Sequence, residues 1–347
     1  MDTIARIFID TSKSVFQLHG VDGAEKVVVR RKMSRVRMVE YFTKLAPTVV
    51  GLEACGGSHH WGRELTELGH EVKLIAPQLV KPYVKRGKND ANDAEGGCEA
   101  MSRPTMRFVP VKTAEQQAAL MLAGVREAIV CERTQLTNTI RGHAAEFEVV
   151  APKGLCEIEP LLARIAEDQT LPELARDLFA SLGVAYAQLK VRFKEIDAKL
   201  TAWHRSHAVS RALVKIPGVG PIGASLLVMK TPDPGAFKSG RHFAAWLGLT
   251  PKDHSTAGKV RLGVITRAGD EALRSVLVVG ATAVVKQAVL HGEKGASPWL
   301  VALVKRKAPK LAAVALANRT ARIAWKMMLT GEVYDAARSM APATAAA

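Results

Sequence analysis

Ile4-Ala-Arg-Ile-Phe-Ile-Asp10 is an apolar run of strand length, broken once by Arg6, that ends on a carboxylate. Two more strand-like runs follow, Val15–Val21 and Lys26-Val-Val-Val-Arg30. Between them Asp22-Gly23 has the composition of a tight hairpin turn, so three consecutive antiparallel strands are expected. A helical pattern covers Ser34–Leu45, and Thr48-Val-Val-Gly-Leu-Glu53 reads as a buried strand. A second helix, His59–Leu68, stops at Gly69, a residue suited to a helix C-terminus, and leads into the strand Glu71–Ile75. The order β-β-β-α-β-α-β predicts one mixed sheet covered by helices.

That order is the one found in RNase H-like domains, although other α/β folds share it. Its carboxylates are placed suggestively. Asp10 directly follows the first strand, and Glu53 ends the fourth. Asp90 and Asp93, in Lys88-Asn-Asp-Ala-Asn-Asp-Ala94, share one face if the segment is helical. Four such acids gathered at one sheet edge repel each other unless a divalent cation neutralises them. Oxygen donors of this kind suit Mg2+ or Mn2+, often as a pair about 4 Å apart. Each acid alone has a plain explanation: a turn residue at Asp10, an arginine partner for Glu53, an N-cap at Asp90 with Asp93 in the same first turn. Glu53 is the hardest to explain so, because an unpaired charge inside an apolar strand is costly.

The remaining two-thirds of the chain changes character. Residues 113–207 carry apolar residues at helical spacing, through Leu120, Ala123, Val130 and Leu136. They recur through Leu178, Leu182, Leu189, Phe193, Ile196 and Leu200, close to heptad spacing. A helical hairpin or coiled-coil arm is expected, serving equally as spacer or dimerisation surface. Leu213-Val-Lys-Ile-Pro-Gly-Val-Gly220 has the form of a helix-hairpin-helix, in which Gly218 and Gly220 let backbone N–H groups approach a phosphate. An ordinary glycine connector is the alternative. A basic segment with Lys259, Arg261 and Arg267 follows. The stretch Lys294–Gly331 contains Lys305, Arg306 and Lys307 and no acid, and periodicity through Leu311, Val314 and Leu316 predicts a basic amphipathic helix. Ala341–Ala347 is expected to fray.

Composition narrows the classes of partner. Of 347 residues, 49 are Lys or Arg and 33 Asp or Glu, a net charge of +16 that points to a polyanion held through its phosphates. Aromatic residues at 5% disfavour an RNA surface built on stacked rings. Cys55, Cys98, Cys131 and Cys156 show neither metal-ligand nor disulfide spacing, so reduced, mostly buried thiols are expected. Asp2, Arg6 and Asp10 interrupt any leader-like apolar run. The longest uncharged apolar stretch, Ser275–Val285, is far short of the roughly 20 residues of a membrane span. A soluble, cytoplasmic protein with no membrane partner is the expectation.

Several motifs together resemble one family. Ile9-Asp10-Thr-Ser-Lys13, Gly51-Leu-Glu53-Ala, Lys88-Asn-Asp90-Ala-Asn-Asp93-Ala, Ile216-Pro-Gly-Val-Gly220, and Leu247-Gly-Leu-Thr-Pro251 with His254-Ser-Thr-Ala-Gly258 are similar, in order, to motifs of the DEDD transposases of the IS-one-ten class, which includes the Piv invertase. The resemblance implies a RuvC-like (RNase H-like) metal-binding domain at 1–112 and a helical coiled-coil linker at 113–207. It also implies a mostly α transposase domain with helix-hairpin-helix and serine segment at 208–290, followed by a basic helix and tail at 291–347. It implies that Asp10, Glu53, Asp90 and Asp93 bind Mg2+ or Mn2+, as two ions, and that a serine attacks DNA. The spacing after Pro251 places Thr256 in the serine's position. Ser255 is preferred as the less crowded hydroxyl, so both are candidates. Lys259, Arg261 and Arg267 become candidate phosphate clamps. Donor and target DNA, a structured bridge RNA, tetramers of paired dimers and a nucleoid-associated location in a prokaryote are further implications.

Three other readings compete. A RuvC-like nuclease or junction resolvase would use the same acids with water as nucleophile. An actin-like sugar kinase also opens with an Asp after a strand, but needs glycine-rich phosphate loops, and no convincing one is found. A non-catalytic DNA-binding protein would need only the hairpin motif and the basic tail.

Overall fold

Alternation along β1 (Ile4–Asp10) sends Ile7 and Ile9 to one face of a sheet and Phe8 and Asp10 to the other. The computed structural model describes residues 4–85, 89–294 and 296–335. The chain divides into two units, residues 1–117 and 118–347. In the first, β2 (Val15–Asp22), β3 (Val27–Ser34), β4 (Val49–Glu53), β5 (Glu71–Ile75) and β6 (Phe108–Val109) join β1 in the order β3-β2-β1-β4-β5-β6. β1, β4 and β5 run parallel, while β2, β3 and β6 are antiparallel to their neighbours.

Helices α1 (Arg37–Thr43) and α2 (Ser58–Glu67) cover one face, where Met38, Phe42, Trp61 and Leu65 pack on Ile7, Ile9, Phe16, Leu18 and Leu52. The other face carries α3 (Pro77–Val80) and α4 (Asp90–Ala100), with Val80, Cys98 and Ala100 around Phe8 and Ile75. Three expectations change. The third strand continues to Ser34, opposite Val15, so the first helix begins at Arg37 rather than Ser34. β6 is a sixth strand whose two residues carry too little pattern to read. Only Cys98 is buried; Cys55, Cys131 and Cys156 are exposed, because three of the four lie on loops or outward helix faces.

The 32-residue α5 (Ala114–Ala145) runs across the division, and the second unit continues with α6 (Ile158–Glu167) and α7 (Glu173–Ser206). Phe179 and Tyr186 of α7 pack on Ile158, Leu161 and Ile165 of α6. Leu178 is 57% exposed and the adjacent Phe179 is buried in its place, whereas Leu182, Leu189, Phe193 and Ile196 are half-buried and Leu200 is buried. Next come α8 (Ala208–Leu213), α9 (Pro221–Lys230), α10 (Gly240–Trp246), the hairpin β7 (Pro251–Asp253) and β8 (Leu262–Ile265), α11 (Glu271–His291), α12 (Pro298–Arg306) and α13 (Pro309–Thr330). Segment 271–294 is long and apolar enough to cross a membrane by composition. Leu273, Leu277, Ala281, Val285 and Ala288 of α11 are nevertheless buried in this unit's core.

The basic C-terminal region is two helices, not one, because Pro309 starts a new helix after the extended Lys307 and Ala308. The buried face of α13 consists of Ala312, Ala313, Ala317, Thr320, Ala321, Ala324 and, in the last turn, Met327, while Leu311 is 61% exposed. Small side chains let α13 lie close to α11, so alanines rather than the larger residues mark its inner face. The expected fraying of Ala341–Ala347 lies outside the described residues.

One contact positions α4. A Cβ on Gly97 would fall inside the contact distance of the Phe8 ring, so only glycine permits the observed approach. Gly97→Ala is expected to destabilise the first unit by about 1–3 kcal/mol, the usual cost of overpacking. A thermal melt should show a drop of several degrees, partly recovered by adding Phe8→Leu. Unchanged melting in the single variant would contradict this packing.

Candidate active site

Asp10 is the last residue of β1 and Glu53 the last of the adjacent β4, with Ile9 opposite Leu52. Just beyond the two strand ends, Thr11 Oγ1 stands 3.4 Å from Cys55 Sγ. Asp90 and Asp93 lie in the first turn of α4, whose cap is Asn89: its side chain accepts the Ala91 N–H at 3.0 Å. The capping role considered for Asp90 therefore belongs to its neighbour, and the Asp90 carboxylate is left to other work. One carboxylate oxygen from each of Asp10, Asp90 and Asp93 lies within 4.8 Å of the others. Glu53 stands outside this trio but near enough for its charge to act on Asp10. Among the described residues, none of the four forms an ion pair. Lys88 of the same motif lies outside the described residues.

Burial, followed by the Asp93, Asp90 and Glu53 charges, pushes the Asp10 carboxyl up to about 6. Burial and then Asp93 raise that of Glu53. Across the ladder from Asp10 stands Gln17, 6% exposed, whose amide Oε1 is buried with no hydrogen-bond partner among the described residues. An orphaned acceptor beside crowded carboxylates is costly on both counts. A hydrated hard cation relieves both, since it neutralises the acids and its retained water donates to a nearby oxygen. The all-oxygen set of Asp10, Asp90, Asp93 and Glu53 fits a divalent metal.

The hydroxyl candidates sit elsewhere in the chain. Residues 251–264 form an exposed hairpin arm anchored at its base by Thr266 N–H to Thr250 O (2.9 Å) and Arg267 N–H to Gly248 O (3.2 Å). Thr256 and Lys259 pair at its tip, around Ala257 and Gly258, both with positive φ. Ser255 Oγ accepts the Arg261 N–H at 3.0 Å. The Asp253 carboxylate accepts the Ser255 N–H at 2.8 Å and the Ser255 hydroxyl, and these bonds hold its pKa below the usual range. The Ser255 hydroxyl is thus fixed, whereas the Thr256 backbone closes the turn.

Comparison with known proteins decides the family. Residues 210–293 match the family model described as Transposase IS116/IS110/IS902 family, and residues 8–147 match the IS110 DEDD transposase model. A putative transposase (y4pF/y4sB) of Sinorhizobium fredii is 65% identical over 98% of this chain and 88% of its own. The transposase for insertion sequence element IS1328 of Yersinia enterocolitica is 37% identical, over 96% of this chain and all of its own. That for IS1111A of Coxiella burnetii is 36% identical, over 96% and 92%.

The chain belongs to this transposase family. The transposase is therefore a DNA-cleaving and joining enzyme of an insertion sequence, with an RNase H-like fold in its DEDD domain and a divalent-metal requirement implied by that domain. The actin-like kinase and the non-catalytic binder are set aside by the same matches.

Other expected contacts fall as follows in the transposase. Gly218, with φ +84°, makes the turn between α8 and α9, and Gly220 precedes α9. A Cβ on Gly218 would lie 2.8 Å from the Gly280 carbonyl oxygen, so this glycine also serves packing against α11. Lys259, Arg261 and Arg267 are exposed on or at the base of the hairpin, and Lys305, Arg306 and Lys307 are exposed at the end of α12. Gln17 and Asp253 were not legible as site residues. Gln17 alternates with apolar neighbours as a solvent-facing residue would, and Asp253-His-Ser255 has the spacing of an ordinary Asx turn.

The raised Asp10 value sets a pH dependence. Its folded pKa of about 6 exceeds the model-peptide value of 3.8, so the folded state binds the extra proton between them. Metal-free stability should therefore fall as pH rises from about 4 to 6. Asp10→Asn should stabilise the metal-free transposase at pH 7.5 by about 1 kcal/mol, after discounting for solvent screening at a half-buried group. The gain should vanish near pH 4, and the variant should lose most of the Mn2+-induced rise in melting temperature. A gain that persists at pH 4 would remove carboxylate repulsion as its cause.

Proposed function

We propose that this transposase breaks and rejoins DNA through a phosphoserine bond formed by Ser255. The observation that carries the reading is the fixed Ser255 hydroxyl, held between the Arg261 N–H and the Asp253 carboxylate on an exposed arm. Ser255 Oγ attacks the scissile phosphorus, its proton passing to Asp253, and the ester oxygen of the departing strand leaves with the bonding electrons. An incoming strand's hydroxyl reverses the step, so the phosphoester energy is conserved and no ATP is needed. Lys259, Arg261 and Arg267 steady the phosphate through charge-assisted hydrogen bonds. Bound at Asp10, Glu53, Asp90 and Asp93, one or two Mg2+ or Mn2+ ions would neutralise charge spreading over the phosphate oxygens.

In this reading residues 1–112 are the RuvC-like metal domain, 113–207 a coiled-coil linker, 208–290 the serine-bearing domain with its helix-hairpin-helix, and 291–347 a basic helix and tail. Gly218, Gly220, Lys305, Arg306 and Lys307 contact DNA backbone, a role supported by their exposure and the +16 charge. A structured bridge RNA choosing donor and target DNA, a tetrameric assembly and a cytoplasmic, nucleoid-associated site of action rest on the family resemblance.

Covalent trapping tests the reading. The protein, co-expressed with its flanking element DNA, is incubated with Mg2+ and duplexes carrying the element ends, and DNA-linked peptides are mapped by mass spectrometry. An adduct on Ser255 is expected, abolished by Ser255→Ala and kept by Thr256→Ala within about tenfold, far less than loss of a nucleophile costs. An adduct on Thr256 transfers the role to that residue. Cleavage without any adduct would establish the water-using nuclease instead.

A further inference from the structure

The most cationic stretch of the first unit lies outside every role assigned so far. From Lys26 to Lys44 the sequence holds seven Lys or Arg and one acid, Glu40. Glu40 is spent on Lys44, one helical turn away at 2.6 Å. Arg31, Lys32, Arg35 and Arg37 are exposed and form no ion pair among the described residues.

Their placement follows from the register. Lys32 stands opposite Gln17, and Gln17 opposite Asp10. Ser34 faces Val15, and the Arg35 N–H donates to the Ser14 carbonyl at 2.9 Å. The end of β3 therefore lies at the same sheet end as Asp10, two strands away, or about 10 Å at ordinary strand spacing. Lys13 lies in the β1–β2 turn between them and is exposed. Arg31, Lys32, Ser34, Arg37 and Lys44 line a recess of about 620 Å3 with Tyr41. Arg31 stacks over Tyr41 at 5.8 Å and Arg35 over Trp61 at 5.2 Å, contacts that hold these two guanidinium groups at the sheet end on the side of α1 and α2.

We propose that this cationic rim, formed by Lys13, Lys32, Arg35 and Arg37, binds the phosphodiester backbone of the DNA strand flanking the carboxylate site. The proposal rests on the reading of that site as the place of DNA cleavage and adds where the flanking strand lies. A carboxylate cluster by itself repels DNA, so a strand brought to it needs cations close by. At Lys32 the separation of about 10 Å corresponds to some three nucleotides of rise along one strand, so the rim begins close to the scissile phosphate and continues outward through Arg35 and Arg37. Cations spread along an open strand edge fit a polymer better than an enclosed small anion. They also oppose the pairing of a second protein strand with β3, since charged side chains on an edge discourage it.

The test uses the full chain and the triple variant Lys32→Gln, Arg35→Gln, Arg37→Gln. The probe is a 30-base-pair duplex in Ca2+, titrated across a range of salt concentrations. Loss of three phosphate contacts should lower the slope of log affinity against log salt by about 2–3 and weaken binding at least tenfold near 0.1 M salt. The Mn2+-induced rise in melting temperature should be unchanged, which shows that the sheet and carboxylates survive. Lys32→Arg, Arg35→Lys, Arg37→Lys should restore the slope. An unchanged slope in the neutral variant overturns the rim and leaves its cations as guards of the strand edge. A slope change seen with structured RNA but not with the duplex also overturns it. The two readings separate cleanly. Wild-type cleavage with an unaltered slope in the variant sinks the rim alone, whereas a rim-dependent slope without cleavage under Mg2+ supports the rim and sinks the cleavage site.

Discussion

The touch of Gly97 on the Phe8 ring governs the first unit, because it sets how far α4 stands from the sheet. Asp93 lies one helical turn before Gly97, and Asp90 just under two turns. A helix held further out would carry both carboxylates away from Asp10. The sheet makes a matching contribution, since parallel pairing of β1 with β4 brings the ends of both strands, and hence Asp10 and Glu53, side by side. Mutual repulsion of these acids is thus imposed by packing that gains far more than the repulsion costs. The raised Asp10 pKa is the residue of that conflict.

The second unit solves a different problem, extending an exposed arm without letting its base wander. Leu247 and Leu249 are buried, and the chain between Gly248 and Thr250 receives N–H bonds from Thr266 and Arg267 on the returning strand. Arg274 of α11 ties the same base by donating to the Leu247 and Ala268 carbonyls. α11 is itself fixed at its start by Asp270, which caps the helix and pairs with Lys230. The arm therefore grows from the core of the unit, and only residues 251–264 are surrendered to solvent.

How much of this the sequence carried depends on the length scale of each signal. The strand run ending at Asp10 and the Gly69 stop were legible because apolar periodicity and turn chemistry are local. The acid set was legible for the same reason, since strand ends and a helix start can be placed from local pattern. The inner face of α13 was not, because alanine is neutral to pattern and becomes informative only when a neighbouring helix comes close. The two-residue β6 has no period to detect. Asn89 was passed over for Asp90 since either can cap a helix, and only the backbone shows which residue takes the extended conformation. Gln17 was hidden by an ambiguity of alternation: a polar residue in an apolar strand reads as facing water, whether or not a helix later covers it.

An enzyme acting on DNA must collect negative charge for its metal and positive charge for its substrate within a short distance, and the two fields oppose each other. Had the cations been interleaved with the carboxylates, ion pairs would have formed and neither function would remain. Separation by one strand resolves the conflict. β2 carries uncharged Gln17 toward the acids, β1 carries Asp10, and the rim's cations lie on β3, in the turn after it, at the start of α1 and, as Lys13, in the β1–β2 turn. At about 10 Å, Lys32 stands roughly one Debye length from Asp10 at ordinary ionic strength. Each therefore keeps most of its own field while a bound strand can feel both. Neutral spacing of this kind accounts for a buried amide at a position where a charged residue of either sign would have collapsed the arrangement.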